Sequence, residues 1–303
     1  MANTVLRHLT TVSVAAAHAA CAACVAADIW SRSLRMQLMT RSAGTFMSFR
    51  HALALTTFGD AAAAVTPLRA GGEFARVVGA RAAGVRLPVI AAVISVETLV
   101  VYVLAAVAGA WLAAEYGGEW LALVRPRRQV LSVRAIYVSA VVVLLAVTIV
   151  AATPAARLAL RRVVAGARTA LIAARRISWA ALLLCLVLSV VSLVARVAIL
   201  PALALTLPQA PSVGVLALIS FTLVHGQIAM PTPAGAGPIE MVFLMGGTGI
   251  TREAGRVLGW WRVYATLIPV VLGFVLGALT YGRAVLRALP FNRSRRSDDA
   301  LDS

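Results

Sequence analysis

Charged residues are scarce in this chain of 303 residues and make up 13% of it, whereas soluble domains average about a quarter. Hydrophobic residues account for 61%, and the mean hydropathy is +0.91. This composition excludes a single large soluble core and also excludes a disordered chain. The apolar runs are long enough to cross a bilayer, which takes about 20 residues, and they predict a multi-pass protein of the cell membrane.

Lysine is absent, so all 28 basic residues are arginine, and against 11 acidic residues they give a net charge of +17. A basic excess can indicate nucleic-acid binding, but these arginines are spread through short loops and form no aromatic-interleaved patch. We therefore expect lipid headgroups and the membrane as partners, and no nucleic acid. The planar guanidinium group suits bidentate contacts to phosphate.

Cysteine is also rare, and the three cysteines lie inside apolar runs, which argues against a disulfide framework. One helical face carries His18, Cys21, Cys24 and Asp28. This face would allow a metal site, but small residues packing a helix interface explain it better. A P-loop, a nucleophile elbow and an HExxH motif are all absent. We predict no metal, no cofactor and no catalytic residues.

Apolar segments predict an all-α polytopic membrane bundle of about eight helices. They cover roughly residues 9–27, 52–65, 89–112, 135–152, 178–200, 213–230, 238–250 and 258–281. The second and seventh are shorter than the roughly 17 residues that a simple span needs, so we predict half-helices or re-entrant elements there. Residues 1–283 would form the transmembrane domain. Residues 284–303 would form an Arg-rich, disordered cytoplasmic tail.

The most informative stretch is residues 229–247, AMPTPAGAGPIEMVFLMGG. Its prolines disfavour continued helix, and its glycines permit close backbone approach, so the helix must break and restart here. Irregular backbone at membrane depth is tolerated only where it is buried in protein or lines a wet cavity. We therefore assign this loop to a substrate site. The residues assigned are Pro233, Gly235, Gly237 and Glu240.

An earlier stretch, VTPLRAGGEFAR at residues 65–76, has the same ingredients: a Thr-Pro pair, glycines and a glutamate. Paired broken segments are the best sequence indication of a transporter's central site, and the recurrence favours an internal repeat. We add Arg69, Glu73 and Arg76 to the predicted site. In the alternative, both loops are plain helical hairpins whose glutamates cap their own helices.

Ionisable residues inside apolar runs are a second indication of a site, because each costs about 2.5–3.5 kcal/mol at the bilayer centre. They are Asp60, Glu97, Arg196, His225 and Glu240. We expect Arg196 to face the bundle interior and to pair with Glu97 or Glu240, or to bind a lipid phosphate. In the alternatives, Arg196 snorkels from a helix end, Asp60 lies at a helix end, and His225 is a hydrogen-bonded interior histidine.

Two GxxxG motifs lie in or beside the last segment, at Gly255 with Gly259 and at Gly273 with Gly277. Small residues at this spacing let helix backbones approach closely. We therefore expect the last helix to be tightly packed, although these motifs carry no information about a substrate.

Three patterns together resemble the transmembrane-region family of lysylphosphatidylglycerol synthases, a flippase-like membrane family. They are Asp28 with Arg32 and Arg35, TPLRAGGEFAR at residues 66–76, and PTPAGAGPIE at residues 231–240. The family's last motif is approximately P-x-P-G-G-x-G-x-x-E, and here Ala234 replaces its first glycine. The resemblance covers about residues 10–285.

The resemblance implies a protein that moves an anionic lipid or a lipid-linked molecule between leaflets, either alone, as a homo-oligomer or with a partner enzyme. The synthases carry a separate aminoacyl-transfer domain, which this chain lacks, so we do not expect aminoacyl transfer. The alternative is a membrane enzyme or enzyme subunit acting on a lipid-linked substrate, as in glycosyl transfer, with Glu73 or Glu240 as the base. A scaffold for a partner protein is a third hypothesis.

Topology follows from the distribution of arginine, because cytoplasmic loops carry the excess. With both termini inside, we count 16 arginines in inner segments and 11 in outer ones, where Arg32 and Arg35 are assigned to the first outer loop. Residues 157–176 would be cytoplasmic, and the uncharged residues 201–212 would be outside.

Single-cysteine labelling in cells, after removal of the three native cysteines, tests this orientation. We expect an impermeant reagent added outside to label a cysteine at position 209 and not one at position 166, because the arginine excess retains the latter segment inside. The reverse pattern would invert the topology.

Overall fold

The computed structural model of the protein describes residues 13–66, 69–124, 172, 174–207, 210–227, 232–235 and 252–288. The regular structure in these ranges is entirely helical, which confirms the all-α class. The elements are α1 (Val14–Ser42), α2 (Phe49–Val65), α3 (Ala70–Ala82), α4 (Leu87–Val124), α5 (Trp179–Ala204), α6 (Val213–Gly226), a 3₁₀ turn (Pro233–Gly235), α7 (Arg252–Arg262), a π-helical segment (Val263–Leu267) and α8 (Ile268–Ala288).

Four helical stretches of this described part are long and apolar enough to cross a membrane. They are α1, most of α4, α5 and the continuous run from α7 into α8. A multi-pass membrane protein is therefore supported. The predicted segments at 135–152 and 238–250 lie outside the described residues, and so does most of the predicted tail, although α8 runs on to Ala288.

Serine residues cap the N-termini of four of the helices. Ser13, Ser48, Ser178 and Ser212 precede α1, α2, α5 and α6. Each hydroxyl accepts a hydrogen bond from the backbone N–H three residues later, at 3.2–3.4 Å. These caps satisfy donors that would otherwise be unpaired at the helix ends.

The structure differs from the sequence predictions at α1 and at α3. Helix α1 continues to Ser42, well past the predicted end at residue 27, so Arg32 and Arg35 lie within a helix and were wrongly assigned to an outer loop. The helix tolerates these charges because carboxylates on α1 itself and on other helices pair with them. Residues 70–76 of the stretch 65–76, which we expected to be broken, lie in the separate helix α3, so the alternative of a helical hairpin is the better description there.

Two apolar clusters pack around α1, one on each side of its centre. The first joins Cys21, Val25 and Ile29 to α5, α6 and Trp261, and the second joins Met36 and Met39 to α2, α3, α4 and α5. Cys21 thus packs an interface, as the better explanation of its helical face predicted. Between the clusters α1 carries a short charged stretch, which is thereby held inside the bundle.

Helix α8 packs closely on α2 through the second GxxxG motif. A Cβ atom at Gly273 would lie 2.1 Å from the carbonyl oxygen of Thr57, and one at Gly277 would lie 2.6 Å from the ring of Phe58. The predicted close packing is confirmed there. Gly255 and Gly259 show no such packing among the described residues: both are exposed, and no described atom lies within 4 Å of their Cβ positions.

Helices α2 and α3 form a tight hairpin. A Cβ atom at Gly72 would lie 2.8 Å from the Cβ of Ala63 and 3.0 Å from the carbonyl oxygen of Gly59. The small residues therefore allow the two helices to approach closely. The connection between Thr66 and Arg69 brings the tip of this hairpin to the cavity described next.

Candidate functional site

A cavity of about 870 Å³ lies among helices α1 to α6 and the start of α8. Apolar side chains form much of its wall, but nine of the described lining residues are charged. They are Asp28, Arg32, Arg35, Asp60, Arg69, Glu73, Arg76, Glu97 and Arg196. Asp28 is the central residue of α1, with fourteen helical residues on either side, and its side chain is buried like that of Glu97, whereas Glu73 is largely exposed.

Asp28 organises the first group of ion pairs. Its carboxylate accepts hydrogen bonds from Arg32 Nε at 3.1 Å and from the Ser192 hydroxyl at 2.5 Å, and it lies 2.9 Å from Arg196 Nε. Arg32 also donates both terminal nitrogens to Asp60, at 2.9 and 2.6 Å. Two arginines and two aspartates thus link α1, α2 and α5 in a locally neutral group.

Glu97 organises the second group. One carboxylate oxygen accepts two hydrogen bonds from Arg35, at 2.9 and 2.5 Å, and the other accepts one from Arg76. Arg35 also donates to the Ser189 hydroxyl at 2.8 Å. The Glu97 side chain is 3% exposed, so a single buried carboxylate holds arginines from α1 and α3.

Glu73 is the most exposed of the lining carboxylates, with 59% of its side chain accessible. It lies 3.3 Å from Arg76 Nη1, one helical turn away on α3. An exposed pair of this kind contributes little to stability. Glu73 is therefore available to the cavity or its surroundings.

Arg69 lies at the tip of the α2–α3 hairpin. Its backbone is left-handed, with φ 57° and ψ 20°, a conformation that non-glycine residues rarely adopt. Its Nη1 donates to the Gln227 side chain at 2.9 Å, which connects the hairpin tip to the end of α6. No salt bridge joins Arg69 to a carboxylate of the described residues.

The two Thr-Pro sequences are followed by the same hydrogen bond, from the backbone N–H three residues after the threonine to the threonine carbonyl. The N–H of Arg69 donates to the carbonyl of Thr66 at 3.2 Å, and the N–H of Gly235 donates to the carbonyl of Thr232 at 3.0 Å. Both donors have positive φ, 57° for Arg69 and 66° for Gly235. The second turn packs against α2, and Arg262 donates to the carbonyl of Ala234 at 2.7 Å.

The π-helical segment supplies one more wall of the cavity. Its Tyr264 hydroxyl lies within hydrogen-bonding distance, 3.1 Å, of Nδ1 of His18 on α1. A π-helical turn inside a helix is rare and is often found at functional sites. Here it places Tyr264, Ala265 and Thr266 along the cavity.

The sequence of this chain matches a known family of membrane proteins over most of its length. The model of the family described as Lysylphosphatidylglycerol synthase TM region matches residues 2–273. The chain belongs to this family. A comparison with curated proteins found no match.

The turn at Ala234 can be compared with the motif of the lysylphosphatidylglycerol synthase transmembrane-region family. The approximate motif on which the resemblance was based has glycine at this position, and the structure places Ala234 at φ 51°. A left-handed backbone favours glycine because it lacks a Cβ atom. The substitution thus retains a glycine-type conformation at some cost in free energy.

Four of the predicted site residues, Arg69, Glu73, Arg76 and Arg196, line one cavity although they come from separate segments. Pro233 and Gly235 lie in the 3₁₀ turn and are not among the described residues of the cavity wall. Gly237 and Glu240 lie outside the described residues.

The expected pairing of Arg196 with Glu97 is wrong, the alternative partner Glu240 lies outside the described residues, and five of the nine charged lining residues had not been assigned to the predicted site. Arg196 faces the interior as expected but pairs with Asp28, because Glu97 is occupied by Arg35 and Arg76. Asp60 lies five residues before the end of α2 and is held by Arg32. The cost of a charge inside an apolar run was the available signal for Asp60 and Glu97.

Proposed function

We propose that this protein translocates an anionic lipid, or a lipid-linked molecule with an anionic head, between the leaflets of the cell membrane. The observation that carries the proposal is the arginine-rich cavity around the central residue of α1. Charged residues at this depth are costly and mark the paths of substrates in membrane proteins. Guanidinium groups suit the phosphate of a lipid headgroup.

The arrangement of the broken segments supports a transport role. Discontinuous helices that meet near the centre of the membrane form the substrate sites of many transporters. Here the tip of the α2–α3 hairpin bonds to the end of α6 through Arg69 and Gln227. The two similar Thr-Pro turns are consistent with an internal repeat, which we include in the proposal.

The proposal includes lipid headgroups as ligands and no enzymatic activity, and it is compatible with a homo-oligomer or a partner enzyme. It is tested with the purified full chain in liposomes that contain a fluorescent anionic phospholipid. An impermeant quencher added outside should bleach about half of the label without protein and nearly all of it with the protein. Equal bleaching in the two cases contradicts translocation.

Arg196→Gln should slow this exchange by at least ~10-fold, the effect of about 1.4 kcal/mol on a barrier. The Arg196 side chain is 31% exposed in the cavity, and Asp28 would keep Arg32 as its partner, so we expect the fold to persist. Arg256→Gln on the exposed side of α7 is the matched control and should exchange lipid normally. Unchanged exchange in Arg196→Gln would remove this residue from the path.

Glu73 favours a second candidate function, a membrane enzyme that acts on a lipid-linked substrate, as in glycosyl transfer. An exposed carboxylate with one weak partner is free to act as a base. Such an enzyme would form a new covalent lipid product only when a donor is present, and Glu73→Gln would stop it. Mass spectrometry of lipids from the same liposomes, with and without candidate donors, separates this function from translocation.

A further inference from the structure

We propose that Arg69 forms a phosphate subsite that selects headgroups with a net negative charge and rejects cationic aminoacyl headgroups. This inference rests on the proposed lipid-binding role of the cavity and specifies the chemistry of its ligand. The preferred ligand is a lipid phosphodiester without a compensating amine.

The charge balance of the cavity is the first observation. Its described lining holds five arginines and four carboxylates, which leaves one positive charge in excess. Asp28 and Asp60 balance Arg32 and Arg196, while Glu97 and Glu73 balance Arg35 and Arg76. The remaining charge is that of Arg69, whose side chain donates a hydrogen bond to the neutral amide of Gln227.

The backbone of Arg69 is the second observation. At φ 57° a glycine would be more stable than arginine, because a Cβ atom crowds the backbone in the left-handed region. Unfavourable backbone conformations of this kind are concentrated at functional sites, where the surrounding structure maintains them. The arginine side chain is thus kept at a position where the backbone alone favours glycine.

The geometry of the side chain is the third observation. A guanidinium group has five N–H donors, and the bond from Nη1 to Gln227 fixes its orientation while using one of them. Gln227 is itself 5% exposed, so the anchor is buried. Arg69 lines the cavity, and the donors that remain on a guanidinium group suit a bidentate contact with phosphate.

These observations rank the possible headgroups. A phosphatidylglycerol headgroup carries one negative charge and neutralises the excess, whereas phosphatidylcholine brings no net charge. Lysylphosphatidylglycerol brings two amines with its phosphate and would place a second net positive charge in the cavity, where like charges repel. We therefore expect affinity to fall in this order.

The test measures equilibrium binding of these three lipids to the detergent-purified full chain by competition with a fluorescent phosphatidylglycerol. We expect phosphatidylglycerol to bind ~10-fold to ~100-fold more tightly than the other two, the range that one charged hydrogen-bonding partner supplies. Tighter binding of lysylphosphatidylglycerol overturns the inference. Soluble glycerophosphoglycerol should compete poorly, and equal competition overturns the assignment to a lipid.

Arg69→Gly separates binding from folding, because it removes the charge but suits the left-handed backbone. We expect thermal stability close to that of the wild type, because relief of the left-handed backbone offsets the lost hydrogen bond to Gln227, together with loss of the preference for phosphatidylglycerol. Arg69→Glu should reverse the preference toward the cationic lipid. The control is Arg256→Gln, which should retain the wild-type preference for phosphatidylglycerol. If Arg69→Gly also retains this preference, the inference is overturned.

Failure of this inference differs from failure of the proposed function. Leaflet exchange without selectivity would overturn the Arg69 subsite and leave translocation intact. Selective binding that depends on Arg69, without any exchange, would support the subsite and contradict translocation.

Discussion

Glu97→Gln should lower the free energy of unfolding by about 3–5 kcal/mol, the usual cost of removing one partner from a buried ion pair. Glu97 accepts hydrogen bonds from both Arg35 and Arg76 and is 3% exposed. Glutamine retains an acceptor oxygen but does not neutralise either guanidinium group. Two positive charges would then face each other inside the bundle, so α1, α3 and α4 would lose their common anchor.

Glu119→Gln on the same helix is the matched control. Glu119 accepts a hydrogen bond from the Ser212 hydroxyl at 3.0 Å in an exposed position, where such contacts contribute about 1 kcal/mol or less. Denaturant or thermal unfolding of both variants in the same detergent makes the comparison. Equal stability of the two variants would show that Glu97 does not hold the bundle together.

Gly273→Ala and Gly282→Ala should change stability in opposite directions although both lie on α8. A Cβ atom at Gly273 would lie 2.1 Å from the carbonyl oxygen of Thr57 and 2.7 Å from its carbon. Backbone atoms cannot rotate away, so α8 must move from α2, and overpacking of this kind costs about 1–3 kcal/mol. At Gly282 no atom of the described part of the chain lies within 4 Å of the Cβ position, and alanine should add up to ~1 kcal/mol through helix propensity.

The same unfolding measurements on Gly273→Ala and Gly282→Ala test whether α8 packs on α2 as closely as the structure shows. A Gly273→Ala protein as stable as wild type would mean that α8 and α2 are farther apart than the structure shows. Destabilisation of both variants to the same extent would point to the loss of glycine itself and not to the interface.

The apolar runs predicted most of the described helices because hydrophobicity and serine caps are local signals. Helix α5, for example, begins at Trp179, within a residue of the predicted start. The same rule ended α1 too early, because it treats Arg32 and Arg35 as loop residues. Whether a helix can carry such charges depends on partners such as Glu97, which is 62 residues from Arg35.

Part of the candidate site was predictable because some of its signals are local in the sequence. Charges in apolar runs and paired Thr-Pro loops indicated Arg69, Glu73, Arg76 and Arg196, which line one cavity. The pairing of Arg196 with Asp28 was not predictable, since it depends on how α1 and α5 are rotated toward each other. The left-handed backbone of Arg69 also has no local signal, because arginine gives no indication of positive φ.

The ion pairs of α1 also constrain the order in which the chain can assemble in the membrane. Arg32 can pair with Asp28, four residues earlier, as soon as the first helix forms. Arg35 has no such neighbour, because its carboxylate partner belongs to α4, which is synthesised later. Until α4 arrives, the first helix carries one unpaired cation, which would cost about 2.5–3.5 kcal/mol at the bilayer centre and costs less at the position of Arg35, two turns from the middle of α1. Helix α1 is therefore a less stable span before Glu97 enters the membrane beside it than afterwards.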